Sequence, residues 1–457
     1  METERFSRKE LRAQLRDDEG VAAMRAALPD AKQPRFDELV REWRNARSAL
    51  KAGPTAEPPG MKGPCTSHRI EAPSPTALKR QIGRCERALE ALVTETRRPR
   101  PRPAPSRTYP REPTIPIRIE QVDGELEAWD RFVLGNPAGT LYHSASWLQL
   151  TGDAFGHPTR RFVAYDDASR PVGVLPVTIL ASNLFGRFAV SLPWVNYGGA
   201  LADSPTVAEA LMQKASSALL AERVRHVEFR DIKPREGWPV RVDKVNMILP
   251  LPADPGTLWN GLGSKLRAQV RKPQREPHWF RVGAGELLDD FYRVYTRNMR
   301  DLGTPPYARQ FFALLLKRFP EAARVAVLWH REEPVSAGIL LRHRGQLEIP
   351  WASTVRHANR FGMNSLFYWK VLEHGVETAA RTFDFGRSTR DAGTYRFKKQ
   401  WGAQPLQLHW HYALPAGEAL PDLRPDNPRY AAAIALWRRL PVALTRVIGP
   451  PIVQNLP

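Results

Sequence analysis

Beyond residue 117, short apolar runs of strand length alternate with segments whose apolar positions recur every three or four residues. That mixture predicts a mixed α/β protein. Runs 117–119, 161–165, 171–180, 188–192, 224–229 and 246–251 read as strands, with 166–170 as the turn of a hairpin. Helical spacing covers 126–132, 140–150 (Ser144 or Ser146 as N-cap) and 206–222. The order then repeats. Helices are expected at 257–274, 286–299 and 311–318, and strands at 325–329, 335–343 and 347–352. A long helix at 362–378, a buried strand at 382–385 and a last strand at 407–412 follow. VEFRD at 227–231 takes the place in the first half that FDFGR at 383–387 takes in the second. Two successive units, 117–255 and 256–415, fit this plan. A tail at 416–457 carries Leu, Ile and Trp positions interleaved with Arg438, Arg439 and Arg446. It predicts an amphipathic helix pair, either docked on the second unit or touching a membrane surface.

The first hundred residues differ in style. Segments 5–28, 35–50 and 76–96 have helical spacing but many charges, and 53–64 is rich in Pro and Gly. Residues 1–96 read as a helical or disordered extension, and the Pro/Arg-rich stretch 97–116 as an extended linker.

A chain of 457 residues exceeds one ordinary core. The net charge of +20 points to polyanionic partners: nucleic acid, a nucleotide phosphate, a phospholipid surface or an acidic carrier protein. The two cysteines, Cys65 and Cys85, match no zinc spacing and allow no disulfide framework, so no metal site is expected. A cytoplasmic protein, peripheral at the inner membrane if the tail binds lipid, is the expectation. The charged first twenty residues do not read as a secretory leader, and no apolar run reaches about 18 residues.

The stretch 382–402, TFDFGRSTRDAGTYRFKKQWG, concentrates the candidate chemistry. A buried strand is expected to stop at Gly386 and hand over to a polar loop, 387–391, where α/β proteins place ligands. Gly386 would allow close backbone approach. Arg387 could hold a phosphate or carboxylate bidentately. Tyr395 and Trp401 would wall a cleft, or serve as core aromatics. Asp384 is expected as a structural partner of Arg387, Glu348 as a carboxylate in the cleft, and His143 as a structural histidine. No residue stands out as a general base. Gly362, preceded by Arg356, His357 and Arg360, resembles a phosphate-cradling helix start.

DFGRS at 384–388 followed by TYRFKKQWG at 394–402 resembles the FemAB-like family of acyl- and aminoacyl-transferases. Weaker matches are SKLRAQVRK at 264–272, GMNSLFYWKVLEHG at 362–375, PWVNYGG at 193–199 and NPRYAAAIALWRRLP at 427–441. The pattern looks closest to the FemAB-related proteins associated with the PEP-CTERM/exosortase system of exopolysaccharide-producing bacteria. The resemblance covers about 117–455. It implies two tandem GNAT-like domains and amide formation between an amine on an envelope or exopolysaccharide precursor and an activated acyl group. The donor's carrier would be acyl-CoA, acyl carrier protein or aminoacyl-tRNA, with no other cofactor. The long coiled-coil hairpin of the peptidoglycan-bridge members is missing here, which weakens the aminoacyl-tRNA assignment.

By this resemblance Lys398, Arg387 and Ser388 are the catalytic candidates. Gly386, Tyr395, Lys399, Arg360 and Gly362 are candidates for the donor, with Lys398 facing donor phosphate or developing charge. Trp194, Asn196, Tyr197 and Glu348 are candidates for the acceptor, although 194–197 could equally form a plain strand end. The competing expectation is a non-catalytic GNAT-like module that binds an acidic carrier, nucleic acid or a membrane surface.

Overall fold

The computed structural model describes residues 11–52 (except 13, 16, 27 and 29), 74–96, 117–421 (except 125, 183 and 184) and 431–456. It divides into two compact units, 1–107 and 108–457. The expected linker 97–116 and Cys65 lie outside the described residues.

The first unit is helical rather than irregular. Helices Asp18–Ala26, Gln33–Ala52 and Pro75–Thr96 share a core in which Leu15, Phe36, Trp43 and Leu89 are buried. The charges that suggested marginal helices lie mostly outside that core. One lies inside: Glu86 accepts hydrogen bonds from Arg12 and from the Trp43 indole, so its buried carboxylate is satisfied.

The second unit holds two sheets. In the first half β1 (Arg118–Gln121), β2 (Thr159–Tyr165), β3 (Pro171–Ser182), β4 (Gly186–Val190), β5 (Leu201–Ala202), β6 (Val227–Asp231) and β7 (Val240–Arg241) follow one another. Then come β8 (Lys244–Pro250), β9 (His278–Gly283), β10 (Ala323–His330), β11 (Glu333–His343), β12 (Gln346–Thr354), β13 (Thr382–Thr389), β14 (Gln404–Gln407) and β15 (His409–Ala413). One sheet runs β1-β2-β3-β4-β6-β15-β7, with β5 on β3, and the other runs β14-β8-β13-β12-β11-β10-β9.

The halves exchange strands. β8, expected to close the first half, lies between β13 and β14 of the second sheet. β15, expected as the last strand of the second half, pairs with β6 of the first. The expected boundary at 255/256 is therefore not a boundary between the sheets. The single strand expected at 407–412 is two strands in different sheets, meeting at Leu408. The helix expected at 257–274 is likewise two, Pro255–Gly261 and Ser264–Gln274, parted where Leu262 leaves helical geometry. Such pairings are long-range and leave little trace in local pattern.

Each half has one parallel pair, β4 with β6 and β12 with β13. The second is bridged by the long helix Met363–Glu377, whose Leu366, Phe367, Val371 and Leu372 are fully buried. Burying each such side chain contributes about 1.5–3 kcal/mol. Ser144 caps helix Ala145–Phe155 by accepting from the Trp147 N–H, as its position predicted. The tail forms short helices Ala431–Trp437, Val442–Ile448 and Pro450–Val453. No described helix is long and apolar enough to cross a membrane.

Candidate active site

β12 and β13 share only three rungs, Gln346 with Thr382, Leu347 with Phe383 and Glu348 with Asp384. Both strands run on, to Thr354 and Thr389, but no longer pair with each other. A parallel pair that separates leaves a wedge whose inner backbone groups need other partners. The last rung carries two carboxyl side chains on the same face of two strands that lie about 5 Å apart.

The two carboxyls are held differently. Asp384 is fully buried and accepts from the Tyr197 hydroxyl (3.1 Å), Asn246 Nδ2 (2.8 Å) and the Gly386 N–H (2.7 Å). Burial raises it to about 6, against the lowering effect of these donors and of Lys398. Glu348 accepts from the Tyr142 hydroxyl (2.6 Å) on one oxygen, while its other oxygen has no partner among the described residues. Burial and the neighbouring Asp384 push it well above the usual carboxylate range. The pair titrates together. Near neutral pH Asp384, with three donors, is the carboxylate and Glu348, with one, keeps the proton.

Both tyrosines come from the first half and are placed by loops. His143 fixes them. It is buried and neutral, drawn down to about 4 by burial, with Nδ1 against Thr140 Oγ1 (2.7 Å) and Nε2 against the Gly199 carbonyl (3.1 Å). It thus ties the Tyr142 turn to the Tyr197–Gly199 loop, which is the structural role its sequence position suggested. The Tyr197 hydroxyl also accepts from Gln346 Nε2 (2.9 Å).

A cavity of about 610 Å³ opens on this cluster. Tyr142, Tyr197, Gln346 and Glu348 line its polar wall, Ile232, Ile248 and Leu406 an apolar one, and Arg344 and Arg381 contribute cations.

The strand does not end at Gly386, as the pattern suggested. It continues to Thr389 through a bulge, in which the step from Asp384 to Arg387 faces only the step from Ile248 to Asn246. Gly386 takes φ +75° there, a left-handed conformation costly for other residues. In a regular strand Asp384 and Arg387, three apart, would face opposite sides. The extra residue brings Arg387 opposite Asn246, whose amide bonds Asp384, and so to the same face. Asp384 is thus not the partner of Arg387 that the sequence suggested; its partners are Tyr197, Asn246 and the bulge itself.

Lys398 maintains the bulge. It lies on the short helix Gly393–Lys399, is buried, and donates to the carbonyls of Gly386 (3.0 Å) and Arg387 (2.8 Å). Burial lowers it to about 8. Its ammonium is turned inward rather than towards a donor phosphate. Ser388 is buried, and its Oγ has no partner among the described residues. Trp401 is a core aromatic beside Tyr368, Tyr395 is buried, and exposed Lys399 lies over the Tyr395 ring.

Trp194 packs on Phe155 (4.3 Å between ring centres) and does not line the large cavity. Asn196 has its amide near Gly386, and its carbonyl accepts from the Trp410 indole. Arg360 lies apart, in a second cavity of about 440 Å³ with Arg297, Arg300, Arg356 and His357, and Gly362 caps helix Met363–Glu377 beside it. The structure therefore joins Tyr197, Glu348 and Asp384 in one site and separates them from Arg360 and Gly362. Tyr142, Gln346 and Asn246 were not singled out from sequence. Asn246 carried a readable signal, a lone amide in the apolar run 245–249. Tyr142 and Gln346 carried none.

Residues 264–399 match the family model described as Acetyltransferase (GNAT) domain. No curated protein matches the sequence. Among solved structures, FemX is similar at 14% identity, covering 64% of this chain and 96% of its own, with a TM-score of 0.51. L-PGS from Bacillus licheniformis gives 16%, 71%, 97% and 0.43 for the same quantities. A tandem GNAT protein from the clavulanic acid biosynthesis pathway gives 12%, 66%, 100% and 0.42. The two sheets of the second unit are those of a tandem GNAT fold, as in FemX, and residues 264–399 form a GNAT acetyltransferase-like domain.

Proposed function

We propose that the chain forms an amide by transferring an activated acyl group to an amine, with the reaction centred on Asp384, Glu348 and Tyr197. The observation that carries this is the carboxyl pair on the last shared rung of β12 and β13: Glu348 lines a 610 Å³ cavity, and Asp384, buried behind it, is bonded to the Tyr197 hydroxyl that lines the same cavity. Environments that push two carboxyls apart in proton affinity divide acid from base. The attacking amine must lose a proton as its N–C bond forms. Tyr197 Oη takes that proton while passing its own to the Asp384 carboxylate. Protonated Glu348 donates to the developing oxyanion or to the leaving oxygen or sulfur as the carrier bond breaks. Positioning supplies much of the remaining acceleration.

The donor is an acyl-CoA, acyl carrier protein or aminoacyl-tRNA. The cavity lined by Arg297, Arg300, Arg356, Arg360, His357 and Asp301, of which Asp301 pairs with Arg300, supports a phosphate-bearing carrier held by Arg360, with Gly362 at the start of helix Met363–Glu377 as a further contact. The acceptor is an amine on a cell-envelope or exopolysaccharide precursor, supported by the FemAB-like motifs at 384–402. An exosortase-associated role rests on those motifs alone. Such an acceptor places the protein in the cytoplasm, at the inner face of the membrane.

The test is a transfer assay with each donor class against a panel of amines, read by mass spectrometry. Asp384→Asn and Tyr197→Phe should lower kcat by about 10²-fold or more with KM little changed. The rate should fall below about pH 6 as Asp384 takes up a proton. Full activity in both variants would overturn the reading.

A further inference from the structure

We propose an anion-binding subsite at the junction of the two sheets, in which Arg387 and Arg230 hold a carboxylate or phosphate of the acceptor against Trp410. It rests on the acyl-transfer reading above and names the acceptor's chemistry.

Three side chains from two sheets converge. Arg230 on β6 stands directly opposite Trp410 on β15. Arg387 arrives from β13 of the other sheet. Its guanidinium carbon is 5.5 Å from the Trp410 ring centre, and that of Arg230 is 4.5 Å away. The indole is fixed by donating to the Asn196 carbonyl. Two guanidiniums on one ring orient both forks, because the aromatic face attracts the cation and aligns its plane.

The charges do not balance. Arg230 is fully buried. Its Nε donates to Glu228 and its Nη1 to the Val195 carbonyl, but Nη2 has no partner among the described residues. Glu228 is ion-paired to Arg230, and the carboxylate of Asp243 acts on Arg387 at a distance without an ion pair to it. Arg387 makes no side-chain hydrogen bond or ion pair among the described residues, and its side chain remains solvent-accessible. Protein nevertheless surrounds it, and that crowding together with Arg230 pulls it down to about 10. The Gly386 bulge, held by Lys398, is the device that places it over the Trp410 ring. An N–H fork beside a buried, unsatisfied N–H matches the paired oxygens of a carboxylate or phosphate.

The position selects the acceptor as the source of the anion. Across the bulge Arg387 stands on the same face as Asp384, two rungs along β8 and so roughly 7 Å along the strand. An amine at the carboxyl pair would therefore carry its acidic group up to about that distance away. The arginine cluster suited to a donor's phosphates is the separate cavity at Arg297, Arg300, Arg356 and Arg360.

Calorimetric titration of the full chain at low salt with inorganic phosphate, and separately with succinate, tests this. The wild type should bind at least one of them at millimolar concentration. Arg387→Ala should weaken that binding tenfold or more, and Arg387→Lys by less, since an ammonium keeps the charge and loses the fork. Glu348→Gln, impaired in transfer, should bind as the wild type does, so failure of the anion site and failure of the catalytic reading are separable. Arg230→Ala would strand Glu228 and risks misfolding; Arg387 therefore carries the test. Equal binding by wild type and Arg387→Ala, or none by the wild type, overturns the proposal. Competition by CoA, but not by phosphorylated or carboxylated amines, would assign the anion to the donor and overturn its assignment to the acceptor.

Discussion

Replacing Asp384 by Asn makes the carboxyl pair measurable without a substrate. Asp384 stands at about 6 in the folded protein against 3.8 for the ordinary side chain. Burial holds its proton, so the folded state binds more protons than the unfolded state between those values. The stability due to the neutral acid is fully present below about pH 4 and is lost as pH rises through about 6. Two units correspond to roughly 3 kcal/mol. Asn cannot ionise and escapes this loss. It does lose acceptor capacity, since Asp384 satisfies three donors and Asn offers one carbonyl oxygen. That cost, about 1–3 kcal/mol, does not depend on pH. The difference in unfolding free energy, variant minus wild type, should therefore start negative at pH 4 and become about 3 kcal/mol more favourable by pH 7. Removing the Asp384 charge also eases ionisation of Glu348, which moves the difference the same way. Urea denaturation at a series of pH values, following the transition of the two-sheet unit, supplies the measurement. A difference constant to within about 0.5 kcal/mol from pH 4 to 7 would show that Asp384 titrates normally, and the assignment of base and acid would fall with it.

Gly386→Ala should cost about 1–2 kcal/mol, because the added Cβ meets only Asn196 at 3.5 Å and the penalty comes from φ +75°; thermal denaturation reads it, and an unchanged midpoint would argue against the bulge. Lys398→Met should destabilise by at least 1–3 kcal/mol at pH 7, since two carbonyls lose their donor. Because Lys398 stands at about 8 rather than 10.5, wild-type stability should rise relative to this variant between pH 8 and 10, which denaturation at the two pH values checks. The His143 ring proton resonances should stay flat from pH 8 to 5 and shift only near pH 4; a midpoint near 6.5 would mean that the ring is solvated.

Much of the fold was legible because its elements advertise themselves locally. The run 171–180 reads as strand from its period, and Ser144 as a cap from its place before an apolar helix. The exchange of β8 and β15 was not legible, since a strand's sequence carries its faces but not the identity of its neighbour. The same limit governed the site. Glu348 and Tyr197 were found as polar groups in strand or loop contexts, but their union with Asp384 depends on which strands pair. Lys398 was recognised by its motif and given an outward task. Only the contacts show that it holds the bulge. The bulge itself was read as a strand end, because a glycine in an extended run signals either.

The two halves also explain each other. Glu228 occupies in β6 the place of Asp384 in β13, and both sit on the last rung of a parallel pair. The partner on that rung is Val190 in the first half and Glu348 in the second. Glu228 is ion-paired to Arg230 and bonded to the Tyr412 hydroxyl, so despite its burial it is held below the ordinary carboxylate range. A carboxylate so committed is a poor proton acceptor, and with a valine beside it there is no second group to divide the work. In the second half the arginine position of VEFRD is Gly386, and the guanidinium moves one residue on, to Arg387, which lies over the Trp410 ring. That single displacement leaves Asp384 without the arginine ion pair that Glu228 has, with only the Lys398 charge nearby. The first half, having kept its ion pair, supplies instead Tyr142, Tyr197 and the Arg230 side of the anion subsite.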